Sequence, residues 1–167
     1  MNRNITLLIG VGVLVLFFSG LALAEEYKNT RALSGLSAVK AYFDVNTGVP
    51  AKLKSKLLFI DKSFEQLVQS GVKPEFIVGF RSAASNFVTK GDEDYVFDDD
   101  EIAAKKKVHE WILLFKKRGI IMEQCMLSAE IYEIDPQDFL PELEPVNNGY
   151  VSMIGYQTKG YSQINME

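Results

Sequence analysis

The sequence predicts an α/β fold with a mostly parallel sheet and helices on both faces, a three-layer sandwich, and three observations predict it. Stretches of two-residue alternation or short apolar runs recur along the chain, and apolar stripes of helical spacing separate them. Gly, Pro and Asn punctuate each change of period. The chain has 167 residues, of which 47% are hydrophobic and 24% charged, enough for one domain with its own core.

The first element is a strand, because Val39, Ala41, Phe43 and Val45 alternate with Lys40, Tyr42 and Asp44. After the break at Asn46-Thr47-Gly48, a helix starts near Pro50. Leu53, Leu57, Ile60, Phe64 and Leu67 recur on one stripe, and Gly71 and Pro74 mark its end. Glu75 to Phe80 reads as a buried strand, closed by Arg81-Ser82, with a short helix over Ala83 to Val88. Gly91 to Asp100 is an acidic loop. It lacks the Gly and Glu that a calcium loop needs at its sixth and twelfth places, so a solvated loop leading to a helix cap is the better reading.

A helix over about residues 100–118 follows, with Asp98 to Glu101 at its start and Lys116 to Arg118 at its end, both suited to the helix dipole. Ala104, Val108, Trp111 and Phe115 form its predicted buried stripe, and Gly119 its stop. Ile120 to Gln124 is a strand running straight into Cys125, and Met126 to Tyr132 a short helix. Asp135-Pro136 begins another short helix, capped by Asp135. Val146 belongs to a brief strand before Asn147-Asn148-Gly149, and Tyr150 to Tyr156 reads as the last strand, with a polar tail beyond. One domain over residues 36–163 thus lies between a linker at 25–35 and a tail at 164–167.

Residues 1–24 read as an address. Arg3 precedes an apolar stretch from Ile5 to Phe18, and Ala22-Leu23-Ala24 offers the small residues of a signal-peptidase site. The expectation is an exported, periplasmic protein cleaved after Ala24; the rival reading is a retained anchor. The net charge of −4 argues against nucleic-acid binding. A single cysteine and a single histidine leave no intramolecular disulfide and no cysteine- or histidine-rich metal site. No glycine-rich phosphate cradle and no G-x-S-x-G elbow occurs.

Chemistry in an open parallel sheet sits beyond the carboxyl ends of the strands. Cys125 falls at such an end, where helix N–H groups favour a negative charge and a thiolate. Free cysteine is also among the most buried residue types, so a reactive thiol and an inert packed one both remain open. Arg81, at the next strand end, could hold an anion or stabilise the thiolate; its plain alternative is a salt bridge. Asn46 could hydrogen-bond a ligand or serve only as a turn residue. His109, in a helix beside Lys105 and Lys106, reads as a surface or boundary residue.

The run Ile120 to Ala129, then Asp138-Phe139-Leu140-Pro141, Val146 and Gly149, and Gly155-Tyr156-Gln157-Thr158-Lys159-Gly160-Tyr161 resembles the DsrE/DsrF-like family. The Val39–Val45 strand with Asp44 and the helix ending at Gly71-Val72-Lys73-Pro74 fit the same pattern. The resemblance implies a flavodoxin-like sandwich that assembles into trimers or hexamers and needs no cofactor. It also implies a sulfur carrier that holds a persulfide on Cys125 and exchanges it with a donor or acceptor protein's thiol. The alternative is a non-catalytic binding scaffold of the same fold. Two departures stand out: the chain has one cysteine, and its expected export takes it away from tRNA thiolation.

Overall fold

The computed structural model describes residues 27–91 and 98–167. The expected signal peptide, its cleavage site and most of the acidic loop lie outside the described residues. A single helical turn, α1 (Thr30–Leu33), precedes the sheet. Then come β1 (Ala38–Val45), α2 (Pro50–Gln69), β2 (Lys73–Phe80), a 3-10 helix (Ser82–Val88), α3 (Asp99–Lys117), β3 (Ile121–Cys125) and α4 (Met126–Ile131). A 3-10 turn (Pro136–Asp138), β4 (Glu144–Val146), α5 (Gly149–Thr158) and β5 (Ser162–Met166) complete the chain.

The five strands form one all-parallel sheet in the order β4-β3-β2-β1-β5. From β1 to β4 each strand is laid down beside the last. Right-handed crossovers therefore put α2, α3 and α4 on one face. The return from β4 to β5 runs back across the sheet and carries α5 over the opposite face. Side chains follow suit. Ala41, Phe43, Val45, Phe76, Val78, Phe80 and Met122 pack with Leu53, Leu57 and Ile60 of α2 and Val108, Ile112 and Phe115 of α3. The alternate strand residues Tyr42 and Ile77 pack with Met153 of α5. This is the flavodoxin-like three-layer sandwich that the alternation of elements predicts.

Helix α3 shows how local sequence sets the boundaries. The Asp98 carboxylate accepts the Glu101 N–H at 2.8 Å and the Glu101 side chain accepts the Asp98 N–H, a capping box worth about 1 kcal/mol. Its inward stripe differs from expectation in two places, and the first is that Ile112 is sealed while Trp111 packs at the margin. Lys105 is also sealed there, its ammonium donating to Thr89 Oγ1 at 2.8 Å and to the Gly91 carbonyl.

The C-terminal end corrects two expectations. Residues 150–156 are not a strand but the body of α5, started by the Asn148 side chain, which accepts the Tyr150 N–H at 2.9 Å. The last strand is instead β5, so the presumed tail at 164–167 belongs to the sheet through Met166. Parallel pairing with β1 from Ala41–Ser162 to Val45–Met166 holds it in place.

Candidate functional site

Strands β1, β2 and β3 end almost level. Val45 pairs with Phe80, and Phe80 with Gln124, so the chain brings Asp44, Arg81 and Cys125 together at one edge. Cys125 is the last residue of β3 and the residue that opens α4. It is 3% exposed. Its Sγ accepts the N–H of Gly149 at 3.2 Å. Gly149 is the first residue of α5, so the helix itself offers this N–H no partner. The Leu127 N–H binds the Asn147 carbonyl at 3.1 Å, which ties the start of α4 to the loop before α5.

Opposing effects act on the Cys125 thiol. Burial pushes its pKa up; the Gly149 N–H, the Ser128 hydroxyl and the N–H groups of Ser128 and Leu127 pull it down, and the net direction is down. Neither α4 N–H makes a formed capping hydrogen bond to the sulfur, so the Gly149 N–H is the direct donor.

Arg81 comes to the same place but spends its charge elsewhere. Its Nε and Nη2 grip the two oxygens of Asp44, each at 2.6 Å, in a bidentate pair. Both side chains are largely withdrawn from water. The guanidinium lies 4.7 Å from the centre of the Tyr150 ring, and Nη1 donates to Ser82 Oγ at 3.2 Å. No hydrogen bond joins Arg81 to the sulfur among the described residues. Asn46 is drawn into the same edge but not to the thiol: its Nδ2 donates to Asp44 Oδ2 and to Asn165 Oδ1, each at 3.4 Å. It braces the ends of β1 and β5. His109, in the middle of α3, is not among the groups that surround Cys125.

Sequence reasoning missed the groups that touch Cys125 or orient its surroundings. Gly149 stands in an Asn-Asn-Gly run that reads as a turn, although Asn148 is also a strong N-cap signal, and recognising it would have placed a helix N–H at this point. Asp44 carried a signal of its own, since a carboxylate ending an otherwise apolar strand needs a cation. Ser82 and Ser128 gave none.

A second polar group lies one strand step away. Glu123, on the same sheet face as Cys125 and 5% exposed, accepts the Tyr156 hydroxyl at 2.9 Å. Burial first, and then the Glu123 carboxylate, push the Tyr42 and Tyr156 hydroxyls well above the ordinary tyrosine range. Beside this edge runs a groove of about 260 Å³ between Asp44, Arg81, Tyr150, Ile154, Gln157 and Asn165. Two larger hollows, of about 470 and 350 Å³, lie between α1 and the end of α2 and beside Phe139 and Pro145; no acid, cysteine or histidine lines either among the described residues. No group of three metal-ligating side chains occurs among the described residues.

No family model matches the chain, and no curated protein matches it. In fold it is similar to the structure of a protein of unknown function, MTH1491, from Methanobacterium thermoautotrophicum, with 18% identity, a TM-score of 0.51, and 77% of this chain and 97% of that one covered.

Proposed function

We propose that this chain is an exported, DsrE-like sulfur carrier and that Cys125 holds the sulfur as a persulfide. The observation that carries the proposal is the Gly149 N–H on the Cys125 sulfur at 3.2 Å, where a thiolate gains a donor that the protein otherwise leaves unused. The donor substrate is a persulfide. The thiolate attacks its outer sulfur, a new S–S bond forms at Cys125, the old S–S bond breaks, and the donor leaves as a thiolate. Nothing is oxidised or reduced overall, and no metal or organic cofactor takes part. With the residue 3% exposed, the donor reaches the sulfur when the first turn of α5 or the Arg81 side chain moves aside.

Intact mass after treatment with polysulfide tests the idea. The expected result is a gain of about 32 Da per added sulfur, reversed by a reductant and absent in Cys125→Ser. A folded protein whose thiol resists both polysulfide and alkylating reagents overturns it. Export is tested by the N-terminus of the protein recovered from the periplasm, expected at Glu25. Assembly into a trimer or hexamer is tested by light scattering.

The burial of Cys125 favours a second reading, a binding scaffold that uses the groove beside Arg81 and Tyr150. In that reading Cys125→Ser leaves fold, assembly and phenotype intact.

A further inference from the structure

The two edges of the sheet are built differently. At one edge β4 has three residues, Glu144-Pro145-Val146, and is guarded by its shortness, by a charge and by a proline with no N–H to offer. At the other edge β5 reads Ser162-Gln163-Ile164-Asn165-Met166 and carries no charge, proline or glycine. One side of β5 pairs with β1. No main-chain hydrogen bond reaches its other side among the described residues, and Ser162 to Asn165 are exposed. An edge left in this state is a template for another strand.

We propose that β5 pairs antiparallel with β5 of a second copy, about a two-fold axis at Ile164, and so joins the two five-stranded sheets into one. Charge sets the direction. At the start of β5 the Lys40 ammonium lies 5.4 Å from the centre of the Tyr161 ring, and Lys159 adds a second cation just before the strand. Glu75, 3.8 Å from Lys40, stands on β2, on the side of β1 away from β5. Glu167 follows the last residue of β5. A parallel copy would set like charge beside like; an antiparallel copy brings the cations of one chain toward the partner's Glu167. Register follows from the axis: Ser162 faces the partner's Met166, Gln163 the partner's Asn165, and Ile164, 39% exposed, its own copy. Residues that face one another are then an even number apart. Whichever alternate residues turn their amides outward therefore meet outward amides, for about four to six new main-chain hydrogen bonds. The contact consumes the unguarded edge of both copies and leaves a guarded β4 at each end, so it closes at two. It does not rest on the sulfur-carrier reading. A two-fold contact gives an even number of copies, which fits a hexamer and excludes a lone trimer.

Sedimentation equilibrium of the purified protein tests the contact. The expected result is an even-numbered assembly. Ile164→Lys sets two ammonium groups face to face and raises the dissociation constant about tenfold or more. A monomer or a trimer overturns the proposal, and so does an even assembly that Ile164→Lys leaves unmoved. If Ile164→Lys does not fold, Ile164→Cys in a Cys125→Ser background decides. A short bismaleimide is expected to link copy to copy through residue 164. The control is Ile131→Cys in the same background, at a residue 69% exposed on α4, which is expected to stay unlinked. No link at residue 164, or equal linking at both residues, overturns the contact. Slow amide exchange along the outer side of β5 in a protein that sediments as a monomer would mean that another part of the chain covers the edge, which overturns it as well.

Discussion

The N–H of Gly149 points at the sulfur of Cys125 across 3.2 Å, and the bareness of Gly149 allows the approach. A methyl group at residue 149 would sit 3.3 Å from the Cys125 Cβ, 3.6 Å from its sulfur and 3.9 Å from the Arg81 Cδ. Glycine is needed here for close approach, since its backbone lies outside the left-handed region.

Gly149→Ala therefore pushes the start of α5 away from the sulfur by a few tenths of an ångström. The expected result is a folded protein, destabilised by about 1 kcal/mol through overpacking that alanine's better helix propensity only partly offsets. Its thiol midpoint lies above that of the wild type. Denaturant melts and an alkylation-rate profile check both. An unchanged midpoint would show that the Gly149 N–H does not hold the thiolate.

The lowered pKa of Cys125 sets a sign for stability against pH. A thiol whose folded pKa lies below its unfolded value of about 8.5 binds fewer protons in the native state between those two values. Its contribution is complete above the unfolded pKa and fades as pH falls through the folded one. The difference in stability between wild type and Cys125→Ser accordingly grows in favour of wild type as pH rises through that window. Melts of both proteins on either side of it measure the slope, and a difference that is flat or shrinks with pH contradicts the assignment.

Arg81 and Asp44 form a pair in which each oxygen of the carboxylate meets its own N–H at 2.6 Å. Arg81→Met leaves a carboxylate buried without its cation, with an expected loss of about 3 kcal/mol. Replacing both partners, as in Arg81→Met with Asp44→Asn, recovers part of that loss because no bare charge remains. A double-mutant cycle is expected to show a coupling of about 2 kcal/mol. Additive losses would mean that the pair contributes little beyond packing.

Much of the architecture was legible because α2 and α3 carry their signals in one dimension. Leu53, Leu57 and Ile60 share a stripe, Asp98 and Glu101 cap, and Gly119 stops the helix with φ of 74°. The position of Cys125 followed from the same kind of evidence. The C-terminal end was not legible in this way. Val151, Met153 and Ile154 form a short apolar run whose period fits strand or helix, and the Asn148 cap is what decides for helix. Strand β5 is polar along most of its length and depends on parallel pairing with β1, a long-range fact that no local window holds. The pairing of Arg81 with Asp44 and of Asn46 with Asn165 was hidden for the same reason, since each joins the ends of two different strands. Lys105 could not be foreseen as buried, because its partners Thr89 and Gly91 come from outside α3.

Gly79, opposite Asp44 on one side and Glu123 on the other, leaves room for the Tyr42 ring between two carboxylate-bearing strands. A Cβ at residue 79 would lie 2.6 Å from the Tyr42 Cζ and closer still to its hydroxyl. Tyr42 is 2% exposed and its ring centre is 5.5 Å from that of Tyr156, so it has no free space to move into. Gly79→Ala is therefore expected to cost about 3 kcal/mol, the upper part of the range for overpacking. Adding Tyr42→Phe removes the hydroxyl but keeps the Cζ contact, so it restores little. Adding Tyr42→Val removes the ring from the Cβ and restores more of the stability lost to the clash, against its own cavity cost. Denaturant melts of the three variants separate these outcomes, and full rescue by Tyr42→Phe would show that only the hydroxyl, not the ring, depends on the absent side chain.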